Sequence, residues 1–268
     1  MKIISTKQNI ISHLKKSANV GFVPTMGTIH KGHLSLIKKS ISECNKTVVS
    51  IFINKPQFNQ KKDYKRYPRN LKKDISILKG HKIDYLYLPK SKDIYPREIN
   101  KKIKISSLKK ILCGKSRPGH FEAVVDVIDR FIKIIKPKKI YLGEKDFQQL
   151  KILEDYIKKN KIKTKVINCK TVREKNGIAF SSRNALLNIQ QKNRASKIYK
   201  LIYKSKNKLI KKKITINSIK KQITLIGAKI DYLEVRDVNK FIKPFKKNKK
   251  HKVFVAYYLD TIRLIDNI

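Results

Sequence analysis

Short apolar runs alternate with helical patterns over the first two thirds of this 268-residue chain, and that alternation constrains the fold more than any other feature. VGFVP (Val20–Pro24), VVSIFI (Val48–Ile53), DYLYLP (Asp84–Pro89), KIYLGE (Lys139–Glu144) and KVINC (Lys165–Cys169) read as buried strands. Each is rich in β-branched or aromatic residues and bounded by turn signals. Between Gly119 and Lys136, the residues Phe121, Val124, Val125, Ile128, Phe131, Ile132 and Ile135 recur at helical spacing, and Pro137 stops that helix. A further helix follows GEKD, with Phe147, Leu150 and Leu153 on one stripe. Repeated strand–helix units imply an α/β fold, a doubly wound parallel sheet with helices on both faces. Such sheets bind ligands at the carboxyl ends of their strands.

The pattern changes after about Lys175. A lysine-rich helical region (190–226) precedes KIDYLEVRDV, KVFVAYYL and TIRLID, which read as strands. We expect residues 1–175 to form the catalytic α/β domain and 176–268 a smaller C-terminal α+β domain closing over the site. The lysine runs 211–213 and 246–250 read as solvated loops or faces.

The net charge of +47 would attract polyanions, yet lysine far outnumbers arginine, the preferred reader of bases and phosphates. The lysines are spread over both halves and accompany abundant Ile and Asn, which share A/T-rich codons with them. No specific nucleic-acid partner is expected. No apolar run approaches the roughly 18–20 residues of a membrane span. The opening Met1–Lys16 lacks a long apolar stretch and a small-residue cleavage site. Cys44, Cys113 and Cys169 are isolated and odd in number, which favours reduced thiols and a cytoplasmic location.

The first strand runs into GFVPTMGTIHKGHLSLIKKS (Gly21–Ser40), a turn with two glycines and two histidines that opens an amphipathic helix. Gly27 and Gly32 have the spacing of a P-loop, but His33 and Leu34 follow where that loop needs a lysine and a hydroxyl. His30 and His33 are expected in the first helical turn, on one face. A helix N-terminus attracts anions, and two imidazoles there add donors for a phosphate that gains charge. The same pair could serve as metal ligands, although no Cys/His cluster completes a set, or as structural histidines. Three further segments carry polar groups toward the site. Asn54 and Gln57 follow the second strand; Gly143, Glu144, Lys145, Asp146, Gln148 and Gln149 follow KIYL; Ser181, Ser182, Arg183 and Asn184 lie near the domain junction.

Taken in order, PTMGTIHKGH, VVSIFINKPQF, RYPRNLKKD, GKSRPGHF, GEKDFQQ and SSRN closely resemble the pantoate–β-alanine ligase family, as does the ending YYLDTIRLIDNI. The resemblance extends to the wider nucleotidyltransferase superfamily, whose H-x-G-H signature stands here as His30-Lys31-Gly32-His33. It implies a Rossmann-like sheet and ATP-dependent condensation of pantoate with β-alanine through a pantoyl adenylate, releasing AMP and pyrophosphate. It further implies ATP contacts at Met26, Gly27, Thr28, Ile29, His30, Lys31, Gly32, His33, Gly143, Glu144, Lys145, Asp146, Val172, Phe180, Ser181, Ser182 and Arg183. His33 is then the catalytic proton donor with His30 beside it, and Lys145 bridges the phosphates and the developing charge. Gln57 holds both pantoate and β-alanine, Gln149 holds pantoate, magnesium arrives with ATP, and the assembly is a homodimer. The alternative is another small-molecule nucleotidyltransferase using the same loop. Pro56 stands one place later than in the family's usual Asn-Pro-x-Gln-Phe, Glu122-Ala123 replace a frequent Arg-Gly, and Phe180 replaces an aliphatic residue.

Overall fold

Successive side chains of the strand Val20–Thr25 (β2) enter opposite faces of a sheet, as the two-residue period of a strand dictates. Phe22 packs on Phe131 with ring centroids 5.4 Å apart, whereas Val23 joins Leu36, Ile37 and Leu78 in a separate cluster. Both layers are apolar because a parallel sheet is covered on both sides. The computed structural model describes residues 1–96, 103–239, 241 and 250–268. It divides into two compact units, Met1–Thr171 and Val172–Ile268.

In the first unit β2 is joined by Lys2–Ile4 (β1), Lys46–Ile51 (β3), Tyr85–Tyr87 (β4), Lys139–Gly143 (β5) and Lys165–Cys169 (β6). All pairs are parallel, in the order β1-β4-β3-β2-β5-β6. The connections carry helices Lys7–Leu14 (α1), Lys31–Glu43 (α2), Lys61–Arg66 (α3), Leu71–Lys79 (α4), Ser91–Ile94 (α5), Cys113–Ser116 (α6), His120–Ile135 (α7) and Phe147–Lys159 (α8). From β2 the chain winds outward through β3 and β4, then crosses to the other side for β5 and β6. This is the expected doubly wound arrangement, and its switch point lies between β2 and β5, where such sheets open a ligand crevice beyond their carboxyl ends. Of the covering helices, α7 is buried almost all round, from Phe121 to Ile135, which explains its unusually apolar sequence.

Bounds depart from expectation most at two strands: β4 is only Tyr85–Tyr87 where Asp84–Pro89 was expected, and β3 spans Lys46–Ile51 and not Val48–Ile53. Thr47 is buried, its hydroxyl 2.8 Å from that of Ser40 and its backbone N–H donating to Asp84, so pairing begins early. Asn54 is buried and turns the chain into a 3-10 turn at Lys55–Gln57, so pairing also ends early.

The second unit packs Ile189–Ile210 (α9) and Ile216–Leu225 (α10) on an antiparallel sheet of Lys229–Asp237 (β7), His251–Leu259 (β8) and Ile262–Asn267 (β9). Ile198, Ile202, Ile219 and Ile223 from the helices meet Leu233, Val235, Val253 and Val255 from the sheet. The helical region expected over 190–226 is thus two helices, separated at the exposed run Lys211–Lys213. Residues 246–249 of the other lysine run lie outside the described residues. The unit boundary falls before the 175/176 division read from sequence because Arg173 is tied into the second unit. Its guanidinium makes two bonds to Asp266, at 2.7 and 3.0 Å, and lies over the Tyr199 ring. Among the described residues no helix is long and apolar enough to cross a membrane, and Cys44, Cys113 and Cys169 form no disulfide.

Candidate active site

The turn after β2 uses conformations that most residues avoid. Gly27 has φ +84° and Thr28 φ +55°. A glycine suits the first position, where a Cβ would stand 2.9 Å from a carboxylate oxygen of Asp74. Thr28 tolerates its left-handed geometry because three bonds hold it. Its hydroxyl donates to the Pro68 carbonyl at 3.0 Å, its N–H donates to Asp74 Oδ2 at 2.8 Å, and the Ile29 N–H donates to Asp74 Oδ1 at 2.7 Å. Two backbone amides that a P-loop would aim at phosphate are therefore turned onto a buried aspartate. The next side chains along the turn that carry ring N–H groups are the imidazoles of His30 and His33.

His30 is the N-cap of α2 and not a residue of its first turn, a correction to the sequence reading. Its backbone is extended, and its Nδ1 accepts the His33 N–H at 3.4 Å. That acceptor role puts the proton of a neutral His30 on Nε2. His33 lies in the first turn, and the two rings stack with centroids 3.9 Å apart and planes 15° from parallel. Burial, and then the Lys145 charge, pull His30 down to about 4. Burial, His30 and Lys145, in that order, hold His33 well below its ordinary value. Both imidazoles are therefore neutral near pH 7 in the free protein and can donate without carrying charge. The Nδ1 of His33 is buried with no hydrogen-bond partner among the described residues.

Lys145 comes from the adjacent strand. After Gly143, residues Glu144–Asp146 form a 3-10 turn that leads into α8, and the Lys145 ammonium lies 3.3 Å from Asp146 Oδ1. The residues expected from the ends of β2 and β5, Met26–His33 and Gly143–Asp146, thus share one sheet edge beside the switch point.

The segment after β3 brings Gln57 against Met26, with Nε2 donating to the thioether sulfur at 2.9 Å. A thioether is a weak acceptor, so this donor is only weakly engaged within the protein. The Gln57 Oε1 accepts from Asn54 Nδ2 at 3.2 Å, while Asn54 Nδ2 also donates to the Ala123 carbonyl and Asn54 Oδ1 accepts from the Tyr95 hydroxyl at 2.7 Å. The Gln57 backbone carbonyl accepts from His120 Nδ1 at 2.8 Å and from Arg117 Nη2 at 3.2 Å, and Arg117 Nη1 donates to His120 Nε2. The two glutamines of α8 part company. Gln148 is buried, receives the Cys113 N–H and donates to the carbonyls of Leu108 and Ile111, whereas Gln149 is half-buried.

The remaining expected residues lie in the second unit. The Phe180 N–H donates to the Val172 carbonyl at 3.0 Å, and the Ser181 hydroxyl caps the turn Ser182–Leu186 by accepting the Arg183 N–H. Asn184 anchors that turn, donating to Glu174 and to the Ala179 carbonyl.

Reading the sequence did not assign roles to Asp74, Tyr95, Arg117 or His120. Asp74, Arg117 and His120 stand inside the segments RYPRNLKKD and GKSRPGHF, which was the only available signal. Among the described residues no group of three or more His, Cys, Asp or Glu side chains is placed to hold a metal ion.

The family model for pantoate-beta-alanine ligase matches residues 1–268. A pantothenate synthetase of Endomicrobium trichonymphae is 42% identical over all of this chain and 97% of its own length, and one of Flavobacterium psychrophilum is 40% identical over 95% and 93%. Among solved structures, a pantoate-beta-alanine ligase of Francisella tularensis, complexed with beta-gamma ATP and beta-alanine, has a TM-score of 0.88 at 37% identity, covering 100% of this chain and 97% of its own. The Thermus thermophilus enzyme reaches 0.92 at 30% identity, covering 100% and 99%. Matches of this extent set aside the broader nucleotidyltransferase alternative: the chain belongs to the pantoate–β-alanine ligase family, enzymes that join their two substrates by an amide bond.

Proposed function

We propose that the chain condenses pantoate with β-alanine in two steps on one site, with ATP as the activating substrate. A carboxylate will not acylate an amine in water, because its leaving group is poor. In this reading a pantoate carboxylate oxygen attacks the α-phosphorus of ATP and pyrophosphate leaves. The β-alanine amine then attacks the acyl carbon, AMP departs, and the amine's proton goes to solvent or a nearby base. The Francisella relative, complexed with beta-gamma ATP and beta-alanine, supports the same choice of substrates here.

The observation that carries the reading is the stacked His30–His33 pair at the end of β2, within the field of Lys145. Preorganised donors and a cation aimed at charge that moves onto phosphate form a strong catalytic device. His33 and His30 donate to oxygens between the α- and β-phosphates, and Lys145 follows the charge onto the departing pyrophosphate. Met26–Ile29, Lys31, Gly32, Gly143, Glu144 and Asp146 line the nucleotide. Gln57 holds the carboxylates of pantoate and β-alanine, and Gln149 holds pantoate. Magnesium enters as part of the ATP substrate, since Mg²⁺ keeps several waters and needs few protein ligands. A homodimer in the cytoplasm completes the proposal. Measuring AMP release tests it: AMP should form only when ATP, pantoate and β-alanine are all present, and release without pantoate would overturn it.

A further inference from the structure

We infer that Asp74 is a positioning residue for adenylation, holding the left-handed turn Gly27–Thr28 so that His30 and His33 meet the phosphates in register. The inference rests on the phosphate-facing role proposed for the two histidines. Asp74 is 3% exposed and comes from α4, far along the chain from the turn it serves. Both carboxylate oxygens are used, one on Thr28 N–H and one on Ile29 N–H, at 2.8 and 2.7 Å. The third restraint, Thr28 Oγ1 to the Pro68 carbonyl, comes from the segment just before α4. One connection between β3 and β4 thus fixes the two residues that precede His30.

An acidic residue in the first turn of a helix is ordinarily explained by the helix dipole. That account requires no contact with another loop, and it leaves unexplained why both oxygens face the β2 turn. Chemistry favours a carboxylate over any other side chain here. Two adjacent N–H donors need two acceptors in a fixed fork, and only an ionised carboxyl offers both without bringing a donor of its own. The arrangement also orients the dipoles of these peptide units toward the protein. An incoming triphosphate meets the imidazoles and the α2 N-terminus, and the turn itself stays rigid. His30 follows Ile29 directly, so release of the Ile29 amide displaces the α2 N-cap first.

Asp74→Asn keeps size and shape but forces an NH₂ against one of the two N–H groups. We expect adenylate formation from ATP and pantoate, followed by rapid quench, to slow about 10–10²-fold, the scale of a misplaced reacting geometry. Conversion of synthetic pantoyl adenylate with β-alanine should change less than about threefold, because no phosphate charge develops in that step. His33→Ala is the reference. The double variant should be slower in adenylation than His33→Ala alone by much less than the full Asp74→Asn factor, since Asp74 acts through His33 as well as His30 and coupled residues are not additive. Multiplying defects in the double variant, equal loss in both steps, or a wild-type rate for Asp74→Asn would overturn the inference. If Asp74→Asn does not fold, Asp74→Glu replaces it: the carboxylate stays, but one methylene further from its backbone, so it can no longer meet the Thr28 and Ile29 N–H groups in the same fork. Loss confined to adenylation supports the role, and loss in both steps refutes it. Should His33→Ala itself lose both steps equally, the phosphate assignment of the histidines fails, a result distinct from failure at Asp74 alone.

Discussion

At the scale of single residues, one charged group admits two readings. Lys145 has two claims on it, the Asp146 carboxylate at 3.3 Å and the phosphates of the proposed substrate. If the ion pair were its purpose, Lys145→Ala would lower stability and slow every step alike. We expect instead that adenylate formation collapses while supplied pantoyl adenylate is still converted, because in the proposed sequence pyrophosphate leaves before the amine attacks. Rapid-quench kinetics from each starting point, with melting temperatures, decide between the two; equal losses and a lowered Tm would make Lys145 structural. The histidines carry a pH signature. His30 titrates near 4 in the folded protein and near 6.5 when unfolded, so the unfolded chain binds the extra proton in between. Its contribution to stability is therefore complete above the unfolded value and is lost as pH falls from about 6.5 through 4. His30→Asn keeps an N-cap oxygen and removes the titration, so its urea midpoint should fall less than wild type's between pH 7 and 4.5. Parallel midpoints in the two proteins would refute the shift.

At the scale of elements, adjacent positions in α8 separate a supporting glutamine from the one proposed to hold pantoate. Gln148 and Gln149 are chemically identical and neighbours in sequence, but the 100° turn between them points one into the segment 108–113 and leaves the other half-buried. Gln148→Ala leaves a buried N–H and two carbonyls without their partner, a loss of about 1–3 kcal/mol for such groups. It should lower Tm. Gln149→Ala should raise KM for pantoate at unchanged Tm, as measured by initial rates and thermal melts; the reverse pattern would exchange their roles. The same contrast explains what could be read without coordinates. β2, β5 and β6 were legible because β-branched and aromatic residues crowd between turn signals, and α7 because its apolar spacing is helical over four turns. β1 was not, since its three residues hold one buried position and form an edge. The run Lys211–Lys213 was read as a solvated loop or face, but not as the break between two helices, because lysines continue on both sides of it. The His30–His33 turn and Gln57 stood out by residue type, whereas Asp74 and His120 act on backbone atoms 45 and 63 residues away, which local pattern does not encode.

For the whole molecule, charge decides how the site behaves in salt. Nineteen acidic residues cannot neutralise sixty-six basic ones, and the surplus of 47 is spread over both units. Most charge pairs in the folded protein are therefore repulsive, and ion pairs near the surface, such as Lys159 with the half-buried Asp155, are worth little each. Added salt shortens the Debye length from about 10 Å at 0.1 M to about 3 Å at 1 M, and screens the many repulsions more than it weakens the few attractions. Compaction of so cationic a chain should thus become easier, and Tm should rise between 0.05 and about 0.5 M KCl. The same screening acts in the opposite sense on the substrate. ATP approaches as a polyanion steered by the surplus charge, so kcat/KM for ATP should fall over that range, whereas β-alanine, a zwitterion without net charge, should be nearly unaffected. Thermal melts and initial rates at matched salt concentrations measure both. A Tm that fell with salt would mean that specific ion pairs, such as Arg173 with Asp266, outweigh the general repulsion. An unchanged kcat/KM for ATP would mean that the lysines are too evenly spread to steer anything, leaving capture of the triphosphate to the His30–Lys145 edge alone.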